Sequence, residues 1–124
     1  MKDSDNLILK KTFEFSIQII NLYKVFKNQN EFILSKQFLI SGTSIGANVE
    51  AIAAHSRKDF IAKMIIAAKE ARETRYWLRL LNKSQIVKYD YSSFLDEIES
   101  IINILTKIVK TSQEQNLVLT ESKI

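Results

Sequence analysis

The stretch Ser41-Gly42-Thr43-Ser44-Ile45-Gly46-Ala47-Asn48 decides how this chain is read. Gly42, Thr43 and Ser44 are poor helix formers, so local propensity alone puts a turn at Gly42. The apolar spacing argues the other way. Leu34, Phe38, Ile45, Val49 and Ile52 stay in phase across the stretch, with Ser41 as the polar member of the series. Gly42 and Gly46 lie four apart and share one face, where the missing side chains let a neighbouring backbone come close. The reading adopted is one continuous helix over about 31–55 with a tight crossing at its middle. Ser41, Thr43, Ser44 and Asn48, with the two glycines, are then close-packing residues that hydrogen-bond backbone or glutamate.

Downstream, Lys69-Glu70-Ala71-Arg72-Glu73-Thr74-Arg75-Tyr76-Trp77-Leu78 is the centre of a long charged helix over about 57–82. Its seam, Phe60, Met64, Ala67, Ala71, Thr74, Leu78 and Leu81, alternates spacings of three and four, the pattern of helical bundles. The central alanines match the small residues of the helix before it, and the two segments are expected to pack closely. Ser56 is a cap, with Asp59 three residues on as a capping-box variant.

The first helix is expected over about 6–27. Phe15, Ile19, Leu22 and Phe26 form one stripe, and Phe13, Ile17 and Ile20 form a second. Together they span roughly 200°, wider than one packed face needs. Such a helix is covered on its second side by another subunit or sunk deep in the monomer's own core. The expectation taken is the subunit, with Phe15, Ile19, Leu22 and Phe26 at the interface. Asn28-Gln29-Asn30 is a short loop, with Asn30 as a candidate N-cap for the second helix. The fourth helix, about 91–111, is capped by Asp90, Ser92 or Ser93 and has the seam Phe94, Ile98, Ile101, Leu105 and Ile108. Acidic residues near its start and lysines near its end suit the helix dipole. The bundle is therefore expected within residues 1–113, and the polar tail 114–124 is expected to fray.

Composition agrees with an all-α, up-and-down antiparallel four-helix bundle. The 124 residues contain no proline and two glycines, with 46% apolar and 26% charged residues. There is no cysteine, which excludes disulfides and thiolate chemistry, and the single histidine cannot build a multi-histidine metal site. No apolar run approaches the roughly 20 residues of a membrane span, and the polar start lacks a signal-peptide core. A cytoplasmic protein with no membrane role is expected. The net charge of +4 is uneven: residues 57–83 carry +5 and the remainder −1. A basic patch of this kind attracts phosphate.

Leu34-Ser35-Lys36-Gln37-Phe38-Leu39-Ile40-Ser41 and the small-residue run after it resemble the second-helix signature of the bacterial four-helix-bundle proteins, also called 23S ribosomal RNA intervening-sequence proteins. Ser56-Arg57-Lys58-Asp59-Phe60 and the segment 69–78 resemble the third-helix signature. The resemblance implies an up-and-down subunit assembled into a homo-oligomeric ring, typically a pentamer. Some members are encoded inside ribosomal RNA genes. A related protein, the accessory variability determinant of diversity-generating retroelements, works with a reverse transcriptase and binds nucleic acid. Two departures stand out. Ile40 replaces the arginine usual before Ser41, which removes an ion pair from that arginine to a third-helix glutamate. Glu50-Ala51 also arrive one residue early, which in an unbroken helix turns everything downstream by about 100°. Either Glu50 is not the family glutamate, or the junction between the helices absorbs the change.

Among the third-helix residues, Lys69, Arg72, Tyr76, Arg79 and Lys83 share one side, with Arg75 at the border of the seam. Arginine forks match phosphate oxygens, and a tyrosine among them can stack on a base, so these six are the candidate RNA or DNA contacts. The rival reading is a solvated helix face. Asp59, Glu70, Glu73 and Trp77 lie on the other side. Carboxylate pairs can do acid–base work, but ion pairing with nearby Lys63, Lys69, Arg72 and Arg75 is the simpler use. Glu70, Glu73 and Trp77 are therefore candidate subunit contacts. His55 and Asp59 lack a third metal ligand. Ser41, Thr43 and Ser44 have no base at a recognisable spacing, and Gly42-Thr43-Ser44 is not followed by the Gly-Lys-Ser/Thr of a phosphate loop. No catalytic residue, cofactor or metal is expected. The function expected is a non-enzymatic nucleic-acid-binding accessory protein; the alternative is a protein-interaction scaffold.

Overall fold

A computed structural model describes residues 3–53 and 56–122. Among the described residues there are four α-helices and no strand: α1 (Asp3–Asn28), α2 (Leu34–Val49), α3 (Arg57–Ser84) and α4 (Ser92–Ser122), with a 3-10 turn, Glu50–Ala53, after α2. They pack as a bundle in which each helix lies against the next and α1 closes on α4.

Named contacts fix the directions. Along α1 and α2, Phe26 meets Phe38 while Ser16 and Thr12 lie beside Gly46. Along α3 and α4, Arg57 reaches Gln115, Arg72 reaches Thr106 and Arg75 reaches Glu99. Phe26 packs on Tyr91 and Lys11 pairs with Glu97, which runs α4 against α1. In each pair one number rises as the other falls, so the subunit is up-and-down and antiparallel.

The core is assembled from the expected seams. Phe38, Ile45 and Val49 of α2 are buried with Met64, Ala67, Ala71, Leu78 and Leu81 of α3 and Ile98, Ile101 and Leu105 of α4. At roughly 1.5–3 kcal/mol for each large side chain, these seams supply most of the drive to fold.

α2 runs unbroken through Gly42, so apolar spacing outweighs local propensity. The glycines, however, face α1 rather than α3. A Cβ at Gly42 would sit 3.0 Å from two Ile19 side-chain carbons, and one at Gly46 would sit 3.2 Å from the Thr12 carbonyl oxygen. Ser41, one position round the helix, is the residue that meets α3. Its hydroxyl lies 2.9 Å from Thr74 Oγ1, which is also 2.8 Å from the Glu70 carbonyl. One hydroxyl proton cannot serve both acceptors, so Thr74 donates to the carbonyl and Ser41 donates to Thr74. Thr43, Ser44 and Asn48 turn back to the carbonyls four residues earlier in their own helix.

Three element boundaries differ from expectation. Glu31, not Asn30, caps α2: its carboxylate accepts from the N–H groups of Ile33, Leu34 and Ser35 at 2.8–3.1 Å, while Asn30 adopts a left-handed turn conformation. A carboxylate closes three orphan donors where a single amide oxygen closes fewer. The α-helical part of α2 ends at Val49 rather than near residue 55, so Glu50 falls in the 3-10 turn. Residue 55, with the notion of a shared metal there, lies outside the described residues. α4 continues to Ser122 instead of fraying after residue 113, because no proline or glycine interrupts it.

The largest correction concerns α1. Phe15, Ile19, Leu22 and Phe26, expected at a subunit interface, are all within 1% of complete burial inside the single chain. Ile8 and Thr12 extend the same stripe inward. The other stripe, Phe13, Ile17 and Ile20, stands on the surface, with Phe13 61% exposed.

Candidate nucleic-acid interface

α3 carries the candidate residues, and its ends are firmly set. The Ser56 hydroxyl accepts from the Asp59 N–H at 3.1 Å, closing the first turn. At the other end Gln85 turns left-handed, and its backbone N–H bonds the Leu81 carbonyl. The seam faces inward, so the outer surface of α3 has a fixed rotation.

On that surface Lys69, Tyr76 and Lys83 recur every seven residues, and Arg72 and Arg79 form a parallel line one step nearer α4. Lys69 to Lys83 spans about 21 Å at 1.5 Å per residue. The six candidates are not equivalent. Arg75 turns inward to α4 and holds both Glu99 carboxylate oxygens at 3.1 Å, so its charge is already used. Arg72 bonds the Thr106 hydroxyl at 3.1 Å, which steadies the guanidinium without neutralising it. Lys69, Arg79 and Lys83 are exposed and form no ion pair with a described residue. Tyr76 is 54% exposed and packs edge-on against Trp77, with centroids 5.3 Å apart.

The opposite edge of α3 has a different character. Glu73 is exposed and Glu70 half-buried. Burial, and then the Glu73 carboxylate, push the Glu70 carboxyl above its usual range, while Lys69 pulls it down. Exposed Ile66 and Leu80 lie on this side with half-buried Trp77, whose indole N–H is buried without an acceptor. The outer stripe of α1, by contrast, mixes Phe13, Ile17 and Ile20 with Lys10 and Lys24. One flank of the bundle thus sets Glu70 and Glu73 beside apolar residues, with Lys63 at its start, and another sets Lys10 and Lys24 beside its own, with Glu14 at its border.

Sequence reasoning missed the contribution of α4. Lys110, Thr106 and Val109 line a groove with Lys69, Arg72 and Ile65 of α3. A helical wheel ranks residues round one helix but does not say which outer residues of two helices become neighbours.

The arrangement is that of a small helical bundle with a basic outer edge and two bare apolar flanks. Among the described residues no group of three or more metal-ligating side chains comes together, and no helix is long and apolar enough to cross a membrane. The chain belongs to the 23S rRNA-intervening sequence protein family, whose pattern matches residues 4–107. It is similar to a solved crystal structure of a protein of unknown function from the S23 ribosomal protein family of Bacteroides thetaiotaomicron. That structure is 47% identical, with a TM-score of 0.80 over 86% of this chain and 98% of the other. No curated protein matches the chain.

Proposed function

We propose that this protein is a non-enzymatic accessory protein that forms a homo-oligomeric ring and presents the basic edge of α3 to RNA or DNA phosphates. The observation that carries the reading is the set of exposed cations, Lys69, Arg79 and Lys83, which form no ion pair with a described residue and lie along one helix edge with Tyr76 among them. Cations paired within the fold, as Arg75 is, add to stability; unpaired cations in a row favour a polyanion. The family, named for intervening sequences of 23S rRNA, is consistent with a nucleic-acid role.

The ring rests on the two unlike flanks. An apolar basic stripe on α1 and an apolar acidic stripe on α3 complement each other but not themselves. A pair of that kind joins head to tail, and head-to-tail contacts close into rings when the rotation permits. Each subunit would add a copy of the basic edge, which multiplies phosphate contacts and steepens the salt dependence.

Fluorescence anisotropy with a labelled 20-nucleotide RNA and its DNA counterpart at low salt tests the reading. Arg79→Glu with Lys83→Glu is expected to weaken binding at least about tenfold and to flatten the salt slope. Light scattering is expected to show the same assembly as wild type. Unchanged binding in the double variant would remove the basic-edge assignment and leave the protein-scaffold alternative.

A further inference from the structure

A groove runs between α3 and α4 toward the end where α3 begins, largely outside the basic edge. Two depressions of about 450 and 420 Å³ lie end to end and share Gln113. The floor is apolar, made by Ile61 and Ile65 of α3 with Val109 and Leu117 of α4. Ile65 is 44% exposed and Leu117 58%, so the floor is bare in the single chain. Among the described residues the rim is basic: Lys58, Lys69, Arg72 and Lys110 line it, and no described carboxylate does. From Lys58 to Arg72 the groove is about 21 Å long, the length of four turns of α-helix.

Two parallel walls, an apolar floor and a rim of one charge are the features of a surface that accepts one amphipathic helix. We propose that this groove docks an acidic amphipathic helix of a partner protein, apolar side down and carboxylates against Lys58, Lys69, Arg72 and Lys110. The charge complementarity selects the partner, and the apolar floor separates this site from a phosphate site. A nucleic-acid backbone laid here would leave Ile65 and Leu117 covered by charged groups, and no aromatic side chain of a described residue lines the groove to stack on a base. A second copy of this chain, through the acidic flank of α3, is the rival occupant, and loss of the wild-type assembly in Ile65→Asp, read by light scattering, would reassign the groove to it. Only Lys69 and Arg72 are shared with the basic edge, so the two sites can be tested apart.

A display library of 16-residue helical peptides, with leucine fixed at spacings of three and four and the other positions free, is selected on the intact protein. Enriched peptides are expected to carry Asp and Glu beside the leucines. In anisotropy, Ile65→Asp alone, and Lys58→Glu with Lys110→Glu, are each expected to weaken an enriched peptide at least about tenfold. Arg79→Glu with Lys83→Glu should leave peptide binding unaltered. Ile65, Lys58 and Lys110 are all exposed, so circular dichroism of these variants is expected to match wild type. Absence of enrichment over uncoated support, neutral or basic flanks, or binding insensitive to Ile65→Asp would overturn the proposal. Loss of RNA binding equal to loss of peptide binding in Ile65→Asp would reassign the groove to nucleic acid.

Discussion

At the scale of single residues, Gly42 leaves less room for a side chain than Gly46 does. An alanine in place of Gly42 gains about 1 kcal/mol of helix propensity. Its methyl group, however, would press on two carbons of a fully buried Ile19 at 3.0 Å. Overpacking of a closed core costs about 1–3 kcal/mol, so Gly42→Ala is expected to lower stability by roughly 1 kcal/mol net. Trimming the opposing side chain is the check. Ile19→Val in the Gly42→Ala background should cost less than in the wild type, a coupling visible in urea titrations of the four proteins. Independent, additive effects would show that the two residues do not compete for space. Ser41 and Gly42 also mark a limit of sequence reading. The spacing shows that they occupy adjacent faces of one helix, but not which neighbour each face meets. That depends on the handed order of helices round the bundle, which the residues of α2 alone do not encode.

At the scale of elements, the α3–α4 connection is built round Tyr91. Its ring is fully buried against Phe26, and its hydroxyl donates to the Val87 carbonyl at 2.7 Å. Burial, with Tyr89 adding to it, pushes the phenol up to about 12. The unfolded chain releases that proton near pH 10, and the folded chain holds it longer. The stabilising difference is therefore intact below about pH 10 and is lost as pH rises through about 12. Tyr91→Phe removes this term together with one hydrogen bond of about 1 kcal/mol. The stability gap between wild type and Tyr91→Phe, measured by urea unfolding, is expected to narrow between pH 10 and 12. A gap constant over that interval would mean that the phenol does not titrate with unfolding.

The elements also show what periodicity decides and what it leaves open. The seams of α2, α3 and α4 were legible because a buried seam needs apolar residues every three or four positions. α1 offered two such stripes, and the wheel gave no means of choosing between them. Thr12 concealed the answer: it continues the inner stripe of Ile8 and Phe15 but reads as polar. Once its hydroxyl donates to the Ile8 carbonyl at 2.7 Å, it is satisfied in the core. The α4 extension was missed for the opposite reason. Residues 114–122 lack a clear apolar stripe, yet nothing in them breaks a helix already propagating from residue 92.

At the scale of the whole molecule, the outer stripe of α1 is the point to attack. Phe13→Glu with Ile17→Glu places charge on residues that the single chain leaves exposed, so the subunit's own stability should shift by no more than about 1 kcal/mol. Under the head-to-tail ring, the same change buries like charge against Glu70 and Glu73 of the adjoining subunit. Light scattering is expected to fall to the mass of one chain. An undiminished assembly would place the subunit contact elsewhere on the bundle. The basic edge was legible in outline, since spacing alone aligned Lys69, Tyr76 and Lys83. The diversion of Arg75 to Glu99 was not, because it depends on a residue 24 positions away on another helix.

The short 3-10 turn after Val49 interrupts the α-helical winding between α2 and α3. The rotation of α3 is indexed by its own serine cap and its own buried seam, not by the winding of α2. A residue gained or lost in that brief segment would alter the length of the bend without steering Lys69, Arg79 and Lys83 to a new compass heading. The exterior of the third helix can thus keep its orientation while the corner before it drifts.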